Sequence, residues 1–333
     1  MTKILVVAPS WIGDIILSQP LLARLHEKYE GLSIDVLASS WGAPLLARMA
    51  EVRHIIDSPF GHGEFHLAKR WQLAQRLRTE SYDEVIVLPN SWKAALSPFL
   101  AGIPRRTGYY GESRYLLINN MHRLDKKRHP RLADRYVRLA DDADDHSHFS
   151  LRRPHLQSSA AQQRAARAAL DLPLDGNPIV FCPGAEYGPA KRWPARHFAT
   201  LASAVGHVDN PVWLVGAPKD THLGEKIEQA CHGSAINLCG RTTLEQAIDI
   251  IASARQVVCN DSGLMHVAAA LDRPLVAVFG SSSFNYTPPM SPLAKIVSLE
   301  LECSPCFMRE CPKGHLRCLN DLAPERVLTA MRS

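Results

Sequence analysis

The sequence contains no apolar run that approaches the roughly 18 residues of a membrane-spanning helix. Its N-terminus carries one positive charge and an apolar run of five residues, which is too short for the core of a secretory signal. Both absences predict a protein that stays in the cytoplasm. Hydrophobic residues make up 46% of the 333-residue chain and charged residues 21%, as in folded globular proteins, and this length predicts two domains.

Several ligand-binding signatures are also missing. No Gly-x-Gly-x-x-Gly follows the first predicted strand of either half, and no Walker sequence ending in Gly-Lys-Ser/Thr occurs. These absences disfavour a nicotinamide-dependent dehydrogenase and a P-loop ATPase. No helix-turn-helix, zinc-finger or aromatic RNA-binding signature accompanies the basic residues, so we expect no nucleic-acid partner.

Short apolar runs alternate with helical patterns in both halves of the chain, which is typical of parallel strands buried on both faces of a sheet. The predicted strands are 3–8, 33–38, 84–88, 179–182, 212–215, 257–259 and 275–279. The predicted helices are 14–29, 194–205, 219–231, 243–254, 262–271 and 324–331. This alternation predicts an α/β protein with two Rossmann-like domains that face each other across a cleft.

A change of composition marks the expected boundary between the domains. Residues 151–177 combine an Arg-Arg-Pro sequence, a stretch rich in Gln and Ala, and the sequence Pro-Leu-Asp-Gly-Asn-Pro. We therefore expect a first domain over 1–155 and a second over 178–320, joined by a linker region at 156–177. A terminal helix is expected within 321–333.

The basic charge is concentrated in the first half. Residues 1–155 hold 22 Lys and Arg against 17 Asp and Glu, which accounts for the whole net charge of +5. Residues 105–138 alone hold ten basic side chains against three acidic ones. Such a surface attracts phosphates, carboxylates or an anionic membrane, although a solvated basic face explains the same pattern. The Asp-x-Asp sequence at 142–144 is interpreted as solvated surface.

A predicted strand leads directly into a helix at Asn260-Asp261-Ser262-Gly263, with His266 one turn later. The small Ser262 and Gly263 leave backbone N–H groups accessible at the helix N-terminus, where these groups and the helix dipole can bind a phosphate. Asp261 and His266 flank that position. The alternative is an ordinary Asp or Ser helix cap followed by a packed histidine.

A glycine-containing loop, 183–194, follows the first strand of the second domain. Because ligands bind at the carboxyl ends of parallel strands, we expect this loop and the Asp261 loop to face the same crevice. Lys191 would then neutralise the same phosphates, the alternative being a solvated lysine. A cation opposite a helix N-terminus is repelled, so removal of Lys191 is expected to leave the unliganded stability unchanged or slightly raised.

Asp14 follows Gly13 where the first helix opens, and we expect it to point toward the cleft. A carboxylate in that position can act as a general base if hydrophobic surroundings raise its basicity. A helix N-cap is the alternative interpretation.

Half of the eight cysteines lie within sixteen residues, in the pattern Cys303-x2-Cys306-x4-Cys311-x6-Cys318. Disulfides are disfavoured in a reducing cytoplasm, so a structural zinc ion bound by the four thiolates is one interpretation, with His315 as a spare ligand. Free thiols, a bridge formed on isolation and an iron–sulfur cluster are the alternatives. The remaining four cysteines lie in or beside apolar segments and are expected in the core.

Five blocks in the same order resemble the ADP-heptose:lipopolysaccharide heptosyltransferases of glycosyltransferase family 9, in particular their type II group. The blocks lie at 9–20, 88–93, 102–108, 183–194 and 260–271. The resemblance implies the two-domain glycosyltransferase B fold, ADP-heptose as donor and the heptosylated inner core of lipopolysaccharide as acceptor. It also implies inversion at the anomeric carbon. A cytoplasmic enzyme with peripheral contact to the inner-membrane surface is the corresponding expectation.

The resemblance also implies roles for individual residues. Asp14 matches the catalytic base and Lys191 the diphosphate-binding lysine. The remaining expected donor-binding residues are Asp220 (as ribose ligand), Asp261, Ser262, Gly263 and His266. The expected acceptor-binding residues are Lys93, Arg105, Arg106 and Arg114.

The expected reaction is an in-line attack in which Asp14 takes the proton of the acceptor hydroxyl. Lys191 and the Ser262 and Gly263 amides would stabilise the charge on departing ADP, so we expect that the chemistry requires no metal or other cofactor. A transferase for another nucleotide sugar and a noncatalytic nucleotide-sugar or lipid-A binding protein are the alternatives. Turnover that is lost when Asp14 is changed would exclude the binding protein.

Overall fold

The computed structural model describes residues 2–61, 64–143, 145, 149–207 and 212–332. The chain divides into two compact units, Met1–Pro154 (unit 1) and His155–Ser333 (unit 2). Of the predicted Asp-x-Asp surface, Asp144 lies outside the described residues. No helix in the described ranges is both long and apolar enough to cross a membrane.

Unit 1 is built on one sheet of six parallel strands. The strands are β1 (Lys3–Val7), β2 (Ser33–Ala38), β3 (His54–Asp57), β4 (Glu84–Val87), β5 (Arg105–Tyr109) and β6 (Asn120–His122). The helices are α1 (Ile12–Lys28), α2 (Ala43–Leu46), α3 (Leu67–Thr79), α4 (Trp92–Leu100) and α5 (Leu132–Val137). The strand order is β3-β2-β1-β4-β5-β6, and Leu5 in β1 is in register with Asp35 of β2 and Val85 of β4.

Unit 2 contains a second sheet of six parallel strands. The strands are β7 (Ile179–Cys182), β8 (Val212–Leu214), β9 (Ala235–Asn237), β10 (Gln256–Asn260), β11 (Leu275–Val278) and β12 (Ala294–Val297). The helices are α6 (Ala160–Ala168), α7 (Ala195–Val205), α8 (Thr221–Ala230), α9 (Leu244–Ala252), α10 (Gly263–Ala270), α11 (Arg317–Asn320) and α12 (Pro324–Arg332). Its strand order, β12-β11-β10-β7-β8-β9, is the unit 1 order counted from the other edge.

Both sheets therefore have the strand order of a Rossmann fold, in which the first strand lies between the second and the fourth. The central strands are almost completely buried, as their continuous apolar sequences predict; Val257 and Val258 in β10, for example, are 0% exposed. The prediction of two α/β Rossmann-like domains is confirmed for each unit. In each sheet the strand order reverses between the first and the fourth strand. The loops after these two strands run in opposite directions and leave a crevice at the carboxyl ends of the strands.

Residues 156–177, predicted as a linker region, lie in unit 2 and include α6. Ser159 caps this helix, with Gln162 completing the reciprocal pair of hydrogen bonds. The Arg167 guanidinium is 5% exposed, donates to the Ser253 side chain and carbonyl, and lies over the Trp213 ring. A buried arginine must place its donors on acceptors, so these contacts hold α6 against the rest of unit 2.

Candidate functional site

The strand order of unit 2 reverses between β10 and β7, and we call this place the reversal point. Asn260, the last residue of β10, binds the loop that follows β7. Its side chain is fully buried, and its Oδ1 accepts a hydrogen bond from the backbone N–H of Trp193 at 3.0 Å. Its Nδ2 donates to the Pro183 carbonyl at 2.6 Å. Both ends of the loop 183–193 are therefore bound to the end of β10, where open α/β sheets bind their ligands.

Lys191 lies within this loop and forms an ion pair with Asp261. The Lys191 Nζ lies 2.5 Å from Asp261 Oδ2, and the two side chains are 19% and 5% exposed. The same Nζ lies 5.3 Å from the centre of the Tyr187 ring. The interpretation of Lys191 as a solvated lysine is therefore wrong. The expected repulsion in the unliganded protein is wrong too, because the Asp261 carboxylate neutralises the lysine.

The helix α10 begins at Gly263, and Ser262 occupies its N-cap position. The Ser262 side chain makes no capping hydrogen bond, and its buried Oγ has no partner among the described residues. The interpretation of this sequence as an ordinary Asp or Ser cap is therefore wrong. Since the first N–H groups of a helix have no intrahelical acceptor, this hydroxyl and the helix N-terminus together can bind an anion.

Two further buried hydroxyls follow β11, the strand next to β10. Ser281 and Ser282 are 2% and 7% exposed, and in the described part of the chain neither Oγ has a hydrogen-bond partner. The sequence analysis missed both residues. Their signal was available, because a run of three serines begins three residues after the end of this buried apolar strand.

Asp220 approaches the same end of the sheet from the loop after β8. Its Oδ2 accepts the Ala217 N–H at 3.1 Å, while its buried Oδ1 finds no partner within the described ranges. A Cβ on Gly184 would overlap the Asp220 carboxylate, so glycine is required for this close approach. Asp220 thus provides an unpaired acceptor beside the loop that carries Lys191.

His266 is buried one turn into α10, with 5% of its surface exposed. Burial lowers the pKa of His266 to about 4, although the Asp261 carboxylate acts in the opposite direction. The imidazole is therefore uncharged at neutral pH. A histidine whose pKa falls on folding contributes stability above the unfolded pKa of about 6.5, and that contribution is lost as the pH falls toward 4.

Unit 1 has its own cavity, with a volume of about 650 Å³. It lies at the carboxyl ends of four strands, where its lining includes Ala8, Ser39, Ser58 and Pro89. The predicted acceptor residue Lys93, on α4, also lines it. The cavity thus occupies the position at which an α/β unit of this topology binds a ligand.

Arg70 is a wall residue of this cavity that the sequence analysis missed. Its guanidinium is 4.1 Å from the centre of the Phe60 ring and donates to the Lys93 carbonyl at 2.6 Å. The buried Arg70 Nε, Ser39 Oγ and Ser97 Oγ have no hydrogen-bond partners among the residues described. The wall therefore offers polar groups to a hydroxyl-rich or anionic ligand.

Asp14 lies in the first turn of α1, which starts from the loop after β1. The N-cap of this helix is Trp11, so the interpretation of Asp14 as an N-cap is wrong. Asp14 is half-buried, and Pro9 and Ser10 of the preceding loop line the unit 1 cavity. Asp14 therefore lies at the ligand-binding end of the unit 1 sheet, and its catalytic role stays a prediction.

All three arginines predicted to bind an acceptor have partners within unit 1. Arg105 lies at the amino end of β5 and forms ion pairs with Glu84 at 3.2 Å and Asp142 at 2.8 Å. Arg106 donates to backbone carbonyls. Arg114 is 1% exposed and also donates to carbonyls. The structure places Lys93, and none of these three, in the lining of the cavity.

The other basic residues of 105–138 are similarly divided. Besides those three arginines, Arg131, Arg135 and Arg138 donate hydrogen bonds within unit 1. The remaining four, Arg123, Lys126, Lys127 and Arg128, are exposed, as is Arg131. A smaller set of side chains than the sequence suggests therefore faces solvent.

The cysteine cluster belongs to unit 2. Cys303, Cys306, Cys311 and Cys318 line one cavity of about 40 Å³ and are unbridged. As placed, no three His, Cys, Asp or Glu side chains of the described chain form a group that could hold a metal ion. Zinc therefore stays a prediction. The other four cysteines are buried, as predicted, and are Cys182, Cys231, Cys239 and Cys259.

Comparison with known proteins identifies the relatives of the chain. Residues 70–317 match the model of glycosyltransferase family 9 (heptosyltransferase). Lipopolysaccharide heptosyltransferase 2 of Salmonella typhimurium is 44% identical, over 99% of this chain and 98% of its own. Lipooligosaccharide heptosyltransferase 2 of Haemophilus influenzae is 44% identical, over 98% and 97%. The solved structure of Escherichia coli ADP-heptose lipopolysaccharide heptosyltransferase II has a TM-score of 0.90 at 41% identity, covering 99% of this chain and 98% of that one.

The ion pair in unit 2 makes a prediction about stability without ligand. Lys191→Ala leaves Asp261 buried without its partner, so we expect the free energy of unfolding to fall by about 1–3 kcal/mol. Adding Asp261→Asn should recover part of that loss. Lys219→Ala is the matched control, because the Lys219–Glu186 pair is 37% and 60% exposed and should contribute less than about 0.5 kcal/mol. Urea unfolding measures all three, and unchanged or raised stability in Lys191→Ala would contradict the role of the pair.

Proposed function

Because the chain belongs to glycosyltransferase family 9, the heptosyltransferases, we propose that it transfers heptose from ADP-heptose to the heptosylated inner core of lipopolysaccharide. The chain is a glycosyltransferase with the glycosyltransferase B fold of its structural relatives. The assignment of a role to each unit and to each side chain is our proposal.

The observation that carries the donor assignment is the arrangement at the reversal point of unit 2. Lys191 provides a cation there, α10 provides a helix N-terminus, and Ser262 provides a buried hydroxyl without a partner. A diphosphate can accept hydrogen bonds from all three. We assign the ADP diphosphate to this position, and we assign the ribose to the unpaired Asp220 Oδ1, which can accept from a hydroxyl.

We assign the role of general base to Asp14. The carboxylate would accept the proton of the acceptor hydroxyl as that oxygen attacks the anomeric carbon from the face opposite to ADP. The bond to ADP breaks as the new glycosidic bond forms, so the anomeric configuration is inverted. Lys191 and the first amides of α10 would stabilise the negative charge that develops on the departing diphosphate.

We assign the acceptor to the unit 1 cavity. The inner core bears many hydroxyl and anionic groups, and the cavity combines Lys93 with the buried polar atoms of Arg70, Ser39 and Ser97. The exposed Lys126 and Lys127 would attract the anionic acceptor at longer range without contacting it.

We also propose that unit 1 contacts an anionic membrane surface through α3 and the residues beside it. Phe65, Leu67 and Trp71 are 47%, 58% and 49% exposed, and the Phe65 ring lies 5.2 Å from that of Trp92. The basic side chains Lys69 and Arg76 are exposed on the same helix. Apolar and aromatic side chains flanked by lysine and arginine are typical of helices that lie in a membrane interface. The protein would then act on lipid-anchored acceptor at the cytoplasmic face of the inner membrane.

Two variants separate donor binding from proton transfer. Asp14→Asn is expected to lower turnover about 100-fold or more while ADP affinity changes only a few-fold. Lys191→Ala is expected to weaken ADP binding by about 1.5–3 kcal/mol, because the shared charged hydrogen bond is lost and the Asp261 carboxylate is left uncompensated beside the diphosphate. ADP release with heptosylated acceptor measures turnover, and calorimetric titration measures affinity. Near-normal turnover in the Asp14→Asn variant would exclude Asp14 as the base. Competition between ADP-heptose and other nucleotide sugars tests the identity of the donor.

The salt dependence of acceptor KM separates direct contact from long-range attraction. Lys93→Ala is expected to raise acceptor KM about tenfold, at low and moderate ionic strength alike, because a charged contact is lost. The pair Lys126→Ala and Lys127→Ala should raise KM at low salt only, since screening removes long-range attraction. Donor KM is the internal control. If either change raised donor KM as much as acceptor KM, these assignments would be contradicted.

Flotation with vesicles tests the membrane contact. The double change Leu67→Asp and Trp71→Ser is expected to reduce binding to vesicles of phosphatidylglycerol and phosphatidylethanolamine at least tenfold, because apolar burial is lost. Leu116→Asp is the matched control, since Leu116 is 83% exposed elsewhere in unit 1. Equal binding of the double variant and the unchanged protein would disprove a contact through α3.

A further inference from the structure

The segment between β12 and α11 has few of the features that normally order a chain. Residues 298–316 form no helix or strand, and the side chains of 307–315 are mostly exposed. Such long irregular segments are uncommon in compact domains, and small or irregular regions with little core are often held by a metal or by disulfides. Leu299, Leu301 and Leu316 pack against the unit 2 core at the two ends of the segment, whereas the stretch between them has little apolar burial, so its order requires other contacts.

The four thiols of this region line one small cavity. Cys303, Cys306, Cys311 and Cys318 all line the cavity of about 40 Å³. That volume exceeds the roughly 10–15 Å³ that a single water molecule needs. The cavity therefore has room for a single ion, and binding would require the thiols to rotate toward it, because in their present positions no three of them form a group that could hold a metal.

The chain around Cys311 already has the hydrogen bonds that a metal-bound thiolate uses. The Leu316 N–H donates to Cys311 Sγ at 3.4 Å, and the Gly314 N–H donates to the Cys311 carbonyl at 3.0 Å. Gly314 has φ +70°, which a residue with a side chain rarely adopts. This tight turn directs a backbone donor at the sulfur, a type of outer-shell contact that tunes and orients metal ligands.

We propose that Cys303, Cys306, Cys311 and Cys318 bind one structural zinc ion. Four cysteine sulfurs are a common set of ligands for tetrahedral zinc, and each thiol would lose its proton on binding. The ion would close the two turns on either side of residues 307–310. It would have a structural role and no part in sugar transfer.

The residues between these turns are the ones that support the donor loop. The Phe307 N–H donates to the Ser281 carbonyl at 2.7 Å, and its carbonyl accepts from the Tyr187 hydroxyl at 2.9 Å. The Arg309 carbonyl accepts the Ala190 N–H at 3.1 Å. Zinc would thus fix the segment on which the neighbours of Lys191 rest. This second part of the inference depends on the proposed donor site, whereas metal binding does not.

Metal analysis of the full chain, purified under reducing conditions, tests the site itself. We expect about one zinc per chain in the unchanged protein and none in the double variant Cys306→Ser and Cys311→Ser. Cys231→Ser is the matched control, because its Sγ donates to the Glu228 carbonyl and a hydroxyl can do the same; it should retain the zinc. His315→Ala should retain it as well, since four sulfurs complete the tetrahedron. Cobalt in place of zinc should give the absorption of a tetrahedral thiolate complex.

The possible results have distinct consequences. Four reactive thiols without metal, disulfides in the reduced preparation, or iron in place of zinc would each overturn the zinc site. Loss of zinc in His315→Ala would overturn the set of four sulfurs. If the double variant loses zinc, we expect at least tenfold weaker ADP binding, and unchanged ADP binding would overturn the support of the donor loop. An unchanged protein that binds zinc but no ADP would instead contradict the proposed function.

Discussion

The buried amide of Asn260 is the contact on which the site in unit 2 depends. It bonds to the chain at Pro183 and again at Trp193, so it closes the intervening loop against β10. A buried amide that lost either partner would carry an unsatisfied polar group, which makes the closed loop strongly favoured. The two Asn260 hydrogen bonds already restrict the conformations of this loop. The Lys191–Asp261 ion pair therefore forms with little further loss of conformational entropy.

The sequence was sufficient to predict the centre of each sheet but not its edges. All seven predicted strands are present, each within one residue of the expected ends, because central strands are apolar on both faces. Five of the strands that the structure describes were missed. Four of them, β3, β6, β9 and β12, lie at the sheet edges and have only three or four residues, and the fifth, β5, lies beside β6 and begins with two arginines. One side of an edge strand faces solvent, so its sequence lacks the continuous apolar run that signals a buried strand.

The candidate site could be located from local sequence, whereas its pairings could not. The helix start at Gly263 and the loop that carries Lys191 each come directly after a predicted strand, so the sequence locates both. The two partners of the ion pair are 70 residues apart, and local sequence does not show that they meet. Charge counts failed for a related reason in unit 1. They do not distinguish an exposed lysine from Arg114, whose guanidinium is buried against backbone carbonyls.

The ion pair bears on how the proposed donor site would recognise its ligand. A diphosphate that reaches α10 meets a Lys191 already neutralised by Asp261, so binding replaces or shares one charged hydrogen bond rather than creating a new one. The Ser262 hydroxyl and the first α10 amides, by contrast, have no charged partner that the ligand must replace. A singly charged anion gains little from Lys191, because the Asp261 carboxylate competes with it at 2.5 Å. A diphosphate, with several negative charges spread over two groups, can engage the amides, the hydroxyl and the shared lysine together. In the proposed donor site, the pair would therefore favour a diphosphate over simpler anions.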